Sequence, residues 1–169
     1  MVIVLRLVHI IGGVFWVGSV MFLALMLAPS LRAVGPGGAP VMNQLVKVRR
    51  MPMVMMASAI LTVAAGIWLL IIDSAGEPGV WMRSGTGQTF SIGGALAIVG
   101  FIIGMAVNLP ASKRLAAIGT VAAARGGPPT AEESTEMQRL QGRMSIASNI
   151  VMLLLVLATA AMAVARYVQ

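Results

Sequence analysis

The chain lacks cysteine altogether, which excludes disulfides, thiolate metal sites, iron–sulfur clusters and cysteine nucleophiles. Charged residues are also scarce: they make up 10% of the 169 residues, whereas a soluble domain carries about 25%. Hydrophobic residues make up 59%. This composition is typical of an integral membrane protein, and we expect a single membrane domain over residues 1–169.

Acidic side chains are few, and all of them fall in predicted loops: Asp73, Glu77, Glu132, Glu133 and Glu136. No apolar segment carries a carboxylate or a lysine at its centre, which argues against a proton-coupled pump or an ion-coupled transporter. The sequence also shows no paired carboxylates, no nucleophile–base pair and no phosphate-binding loop. We therefore favour a protein that is not an enzyme.

Four apolar segments are long enough to cross a hydrocarbon core of ~30 Å as helices. They cover about residues 3–27, 53–72, 90–109 and 145–167. None shows the alternation of a membrane barrel, so the predicted fold class is all-α, an up-down bundle of four transmembrane helices. Pro110 is predicted to end the third span. The run Thr130-Ala131-Glu132-Glu133 predicts a capped helix that continues into the fourth span and pairs Glu136 with Arg139.

The distribution of Lys and Arg among the loops predicts the orientation of the protein in the membrane. Most of them lie in the loops 28–51 and 110–144, whereas Arg6, Arg83 and Arg166 fall on the other side. We therefore place both loops in the cytoplasm and both termini outside, in a bacterial cytoplasmic (inner) membrane. The net charge of +7 then anchors the protein beside an anionic leaflet. No basic run is interleaved with aromatic residues, so nucleic acid is not an expected partner.

Small and polar residues recur at helical spacing within the spans, as membrane helices need for close packing. The stripes are Gly93, Ala97, Gly100, Gly104 and Asn108 in the third span, Ser58, Thr62 and Gly66 in the second, and Ser145, Ser148 and Asn149 in the fourth. We expect the third helix to be the most deeply packed. We expect Asn108 and Asn149 to hydrogen-bond between helices and not to bind a ligand, which is the other interpretation.

His9 is the only histidine, and it lies about two turns inside the first span, on a face with Gly12 and Trp16. One interpretation is a haem or copper ligand or a proton relay. The other is a neutral imidazole hydrogen-bonded to a neighbouring backbone or hydroxyl group. One histidine cannot supply two ligands, so the second would be His9 of another copy or Met162, which shares its predicted depth.

The chain has fourteen methionines. The run that includes Met53 and Met56 suits copper(I), because thioethers bind soft ions. It lies about 20–30 Å from His9 along the membrane normal, so one site cannot join them. Methionine is also an ordinary packing residue. Trp16 lies in mid-span, either packed against small residues or beside a flat cofactor, lipid or quinone.

The stretch from Leu7 to Gly18 reads LVHIIGGVFWVG, with six residues between the histidine and a Trp-x-Gly group. It resembles the opening of CopD-like bacterial membrane proteins, among them the membrane domain of copper-resistance protein D. Relatives of the HemJ type, the oxygen-independent protoporphyrinogen oxidases, open similarly. The end from Met162 to Tyr167 is similar to that of the small members. The resemblance implies a four-helix unit whose first-helix histidine is tied to copper or haem, and it extends by position to His9 and Trp16.

The leading hypothesis is a non-catalytic membrane subunit without a cofactor. It would pack within a larger assembly, such as a respiratory or photosynthetic complex, or with itself. The alternative is handling of copper or haem b through His9 by a CopD-like transport or redox protein. A lipid or quinone site beside Trp16 is a third hypothesis. The expected partners are the lipid bilayer and other membrane subunits or a second copy.

Overall fold

The structure, a computed structural model, describes residues 1–75 and 77–168, without the side chains of residues 36 and 39. Four helices in the described part are long and apolar enough to cross a membrane: α1 (Val2–Val34), α2 (Met51–Asp73), α3 (Gly85–Ala124) and α4 (Ala131–Tyr167). No strand occurs among these residues. The all-α four-helix fold is confirmed, and the chain is a multi-pass membrane protein.

Short helical segments make the connections. The segments Gly35–Gly38, Ala39–Asn43 and Gln44–Val48 join α1 to α2, and Pro78–Trp81 lies between α2 and α3. Helix α1 ends where Gly35 takes a φ of 64°, a conformation that only glycine adopts readily. We call the end of the bundle that carries residues 28–51 and 110–144 the basic end.

The helices run further than hydropathy predicted. Helix α3 has 40 residues and is about 60 Å long, twice the thickness of the hydrocarbon core. The helix does not end at Pro110, where the third span was predicted to end, but continues to Ala124. A wider, π-helical turn at Gly104–Asn108 ends two residues before the proline. In a membrane helix, such a turn lets the backbone adjust around the hydrogen bond that proline cannot donate.

The predicted loop 110–144 is therefore mostly a helical hairpin at the basic end. Ala111, Ile118 and Ala122 of α3 are buried there, and α3 packs along α4. The predicted helix start at Thr130 is confirmed. The Thr130 hydroxyl accepts a hydrogen bond from the Glu133 backbone N–H (3.2 Å), and the Glu133 carboxylate accepts one from the Thr130 N–H (2.8 Å).

Two ion pairs hold the hairpin. Arg114 donates to both carboxylate oxygens of Glu136 at 2.7 and 2.9 Å, so the predicted pair of Glu136 with Arg139 is wrong. Arg125 donates to Glu133 at 2.6 and 3.1 Å. The hydrogen bonds from Arg125 and from the Thr130 N–H lower the pKa of the Glu133 carboxyl to about 2. The hydrogen bonds from Arg114 lower the pKa of the Glu136 carboxyl.

Within the bundle, α1 packs mainly on α2, and α3 packs mainly on α4. The two pairs meet at a core of Trp16, Val20, Ala59, Val151 and Leu155. The expectation that α3 is the most deeply packed helix is wrong: 22% of the most apolar stretch of α2 and of α4 is buried, against 11% for α1 and α3. The small residues of α3 admit α4 on one side only, and its other side, with Val99 and Ile102, faces outward.

Candidate functional site

The candidate site lies on the interface of α1 and α2, in the half of the bundle away from the basic end. The His9 side chain is half-buried, and its Nδ1 atom lies 2.8 Å from the carbonyl oxygen of Thr62. A carbonyl oxygen only accepts hydrogen bonds, so Nδ1 is the atom that carries the proton. A neutral imidazole held in this way has its lone pair on Nε2.

Two hydroxyl groups continue the polar contacts towards the basic end. The Ser58 hydroxyl donates to the carbonyl oxygen of Gly12 across the interface at 2.8 Å. The Thr62 hydroxyl donates to the carbonyl oxygen of Ser58 within α2, also at 2.8 Å. Ser58 and Thr62 are the residues that the small-residue stripe of the second span indicated, and both face α1.

Glycine makes room for these contacts. A Cβ atom on Gly66 would lie 2.7 Å from Cε1 of His9, and one on Gly12 would lie 2.6 Å from the hydroxyl oxygen of Thr62. Both distances are far below van der Waals contact. The two helices approach closely enough to bond only because these positions lack a side chain.

An ion pair adds a further polar contact towards the opposite end. Arg6, one helical turn before His9 and on the same face, lies 3.5 Å from a carboxylate oxygen of Asp73 at the end of α2. Both side chains are about 40% exposed, so water screens the pair. Three polar contacts between α1 and α2 thus follow one another: Arg6 with Asp73, His9 with Thr62, and Ser58 with Gly12.

Trp16 does not lie beside an open site. Its side chain is 6% exposed and belongs to the core where the two helix pairs meet. Its ring meets that of Phe101 edge to face, with centroids 6.3 Å apart. The structure therefore shows Trp16 as a packing residue of the core, in agreement with one of the two predictions for this residue.

The methionines named as candidate ligands lie elsewhere. Met162 packs at Gly93, on the interface of α3 and α4, whereas His9 lies between α1 and α2. Met53 is 57% exposed at the start of α2, near the basic end, and Met56 follows one turn later. Within residues 1–75 and 77–168, no three His, Cys, Asp or Glu side chains lie together as a metal site would need.

The packing stripe of α3 is used in part. Gly93 and Gly100 are buried against α4, and Ala97 packs on the core. Gly104 faces open space: a Cβ atom there would meet nothing within 4 Å. Asn108 donates from its amide nitrogen to the Ser148 hydroxyl at 3.2 Å, so it bonds between helices as expected, and its buried Oδ1 has no partner among the described residues.

Asn149 behaves differently from Asn108. Its side chain is exposed on the outer surface of α4, and no hydrogen bond to it occurs within the described part of the chain. The expected bond between helices is therefore not made inside one chain.

Sequence reasoning missed two features. The Arg6–Asp73 pair could have been predicted, since Arg6 lies near the start of the first span and Asp73 at the end of the second, and these ends meet in an up-down bundle. A cleft of about 230 Å³ lies between α3 and α4 at the basic end, lined by Arg114, Arg143 and apolar residues. No sequence pattern indicates it, because the cleft depends on residues 110–144 forming a helical hairpin and not the predicted loop. No protein-family model, no curated protein and no solved structure matches this chain.

Proposed function

We infer that the protein is a non-catalytic integral membrane subunit that associates with other membrane proteins or with copies of itself. The observation that carries this proposal is that polar side chains in the spans make structural hydrogen bonds between helices. His9, Ser58 and Asn108 each hydrogen-bond to a neighbouring helix. Such bonds hold membrane helices together, since lipid offers the helices no hydrophobic driving force to associate.

The outward surfaces fit such a role. The outer face of α2 is apolar along its length, with Val54, Ile60, Ile67 and Ile71 exposed. The basic residues at one end fit the inner leaflet of a bacterial cytoplasmic membrane, and a respiratory or photosynthetic complex is one kind of assembly that takes small helical subunits of this shape.

Mild solubilisation of native membranes tests this proposal. The protein is extracted in a gentle detergent or in polymer nanodiscs and its mass is determined under native conditions. We expect a particle heavier than one chain plus its lipid. A sample that contains only single chains, at the expression level of the native cell, would overturn the proposal.

A second candidate function is ligation of haem or copper through His9, and one observation favours it. Histidines that bind metals usually donate their other ring N–H to a carbonyl or carboxylate group, which fixes the tautomer and orients the ring. The Nδ1 contact with the Thr62 carbonyl does this for His9, so Nε2 is the atom that would meet a metal.

The two roles of His9 separate by substitution. An asparagine places its amide nitrogen near the position of Nδ1, and a glutamine places it near that of Nε2. Visible spectra and metal analysis are recorded for the natural protein and for His9→Asn. A Soret band or stoichiometric copper that disappears in His9→Asn, while the fold remains, is the expected result for ligation. A colourless, metal-free natural protein would overturn it.

A further inference from the structure

The outer face of α4 carries a regular stripe of exposed residues. Every member is exposed, and the spacing alternates between four and three: Gly142, Ile146, Asn149, Leu153, Val156, Ala160 and Ala163. Leu153, at the middle of the stripe, is 58% exposed. The buried residues Val151 and Leu155 point the opposite way, into the bundle. A repeat of four and three is the spacing at which two helices pack side by side over many turns.

Asn149 makes this surface unlike the other outward surfaces. It lies six residues beyond Arg143, about 9 Å further along the helix axis, at the level where Ser148 receives the hydrogen bond of Asn108. An amide exposed to hydrocarbon without a partner is costly, and the short side chain cannot extend to the lipid headgroups. Thr159, also exposed on α4, satisfies its hydroxyl by donating to the Leu155 carbonyl at 2.8 Å.

We propose that the outer face of α4 is a dimer interface, at which Asn149 hydrogen-bonds to Asn149 of a second copy of this chain. This proposal rests on the proposed function and names the partner and the surface. An amide both donates and accepts, so two of them related by a twofold axis satisfy each other. Two copies inserted in the same orientation have parallel α4 helices, and in such a dimer each residue of the stripe meets its own counterpart.

The rest of the stripe fits a close crossing. Ala160 and Ala163 towards one end and Gly142 towards the other let the helix backbones approach, while Leu153 and Val156 fill the space between them. A single asparagine in an otherwise apolar seam fixes the register of two parallel helices. Arg139, the next position of the stripe, lies outside the spans, where water and salt screen the repulsion between two copies.

The absence of cysteine makes cross-linking the direct test, since each introduced thiol is the only one in the chain. Leu153→Cys, Val156→Cys and Ala160→Cys are each expressed in native membranes and oxidised. Ala64→Cys is the matched control, because Ala64 is exposed on α2 at a similar distance from the basic end. We expect disulfide-linked dimers from the three α4 variants and none from Ala64→Cys.

The role of the amide is measured separately, by energy transfer between labelled chains in lipid vesicles. We expect Asn149→Ala to weaken dimerisation about tenfold, the worth of a hydrogen bond between membrane helices. Ile150→Ala, its exposed neighbour off the stripe, should leave dimerisation unchanged. Ala160→Trp should block close approach of the helices, and Ala64→Trp should not. Equal dimerisation of Asn149→Ala and the natural protein would overturn the pairing.

The outcomes distinguish this inference from the function on which it rests. Cross-links confined to another face, or a native assembly whose α4 thiols never cross-link, would overturn the α4 dimer and leave the subunit function standing. A protein that is a single chain in native membranes would overturn both.

Discussion

The Nδ1 atom of His9 and the carbonyl oxygen of Thr62 lie 2.8 Å apart across the interface of α1 and α2. This bond gives the only histidine of the chain a structural task that is independent of any ligand. We expect His9→Ala to lower the free energy of unfolding in mixed micelles by about 1 kcal/mol, the scale measured for hydrogen bonds between membrane helices. His9→Asn keeps a donor near Nδ1 and should retain most of this stability. Equal losses for both variants would show that the bond contributes nothing.

Glycine at position 66 makes that bond sterically feasible, and its replacement provides a second test. In Gly66→Ala the new methyl group would lie 2.7 Å from Cε1 of His9, so the helices must separate or the imidazole must turn. We expect a net loss of about 1 kcal/mol, since overpacking outweighs the gain in helix propensity. Thermal unfolding in detergent measures the loss.

Gly18→Ala is the control for this experiment. Gly18 lies on the same helix as His9, and a Cβ atom there meets nothing within 4 Å. This variant should be neutral or slightly more stable. A Gly66→Ala protein as stable as Gly18→Ala would contradict the close approach of α1 and α2 at this level.

Trp16 gives a third prediction, because the chain offers an exposed counterpart. Trp16→Ala opens a cavity in the core where the helix pairs meet. We expect a loss of about 1–3 kcal/mol, less than in a water-soluble core, because lipid is as apolar as the protein interior and packing alone is lost. Trp68→Ala, at a side chain that is 55% exposed, should change the stability little. Unfolding curves followed by the remaining tryptophan fluorescence compare the two.

The hairpin at the basic end should depend on pH. The pKa of Glu133 is about 2 in the folded hairpin, against an ordinary value of 4.5. Its contribution to stability is therefore complete above pH 4.5 and is lost as the pH falls towards 2, when protonation removes the pairing with Arg125. Amide hydrogen exchange over residues 118–140, measured across that interval, should show protection falling as the pH is lowered.

Glu133→Gln is the control for the pH experiment. It removes the ionisable group and should weaken the hairpin at neutral pH while flattening its dependence below pH 4.5. Glu136, whose pKa is also lowered by its partner Arg114, contributes a pH dependence of the same sign that remains in this variant. Protection that stays constant down to pH 2 in the natural protein would contradict the role of these ion pairs.

The spans were predictable from sequence because lipid demands long apolar helices whatever their neighbours. The stripe of Ser58, Thr62 and Gly66 likewise indicated which face of α2 is packed. Hydropathy could not show that α3 continues past Pro110, because residues 109–124 include Lys113 and Arg114 and their helix is stabilised by contacts with α4 and by the Arg114–Glu136 pair. Nor could it show that Asn108 bonds within the chain and Asn149 does not, since that depends on which face of α4 receives α3.

The continuity of α3 has a mechanical consequence. One helix of about 60 Å reaches from Gly85, on one side of the bundle, to the tip of the hairpin at the other, so α3 and the part of α4 that is paired with it act together as a lever. A tilt of about 10° around the Gly85 end would carry Ala124 sideways by about 10 Å, given that length. The π-helical turn at Gly104–Asn108 lies at the middle of this lever, where a bend would separate motion inside the lipid from motion of the hairpin.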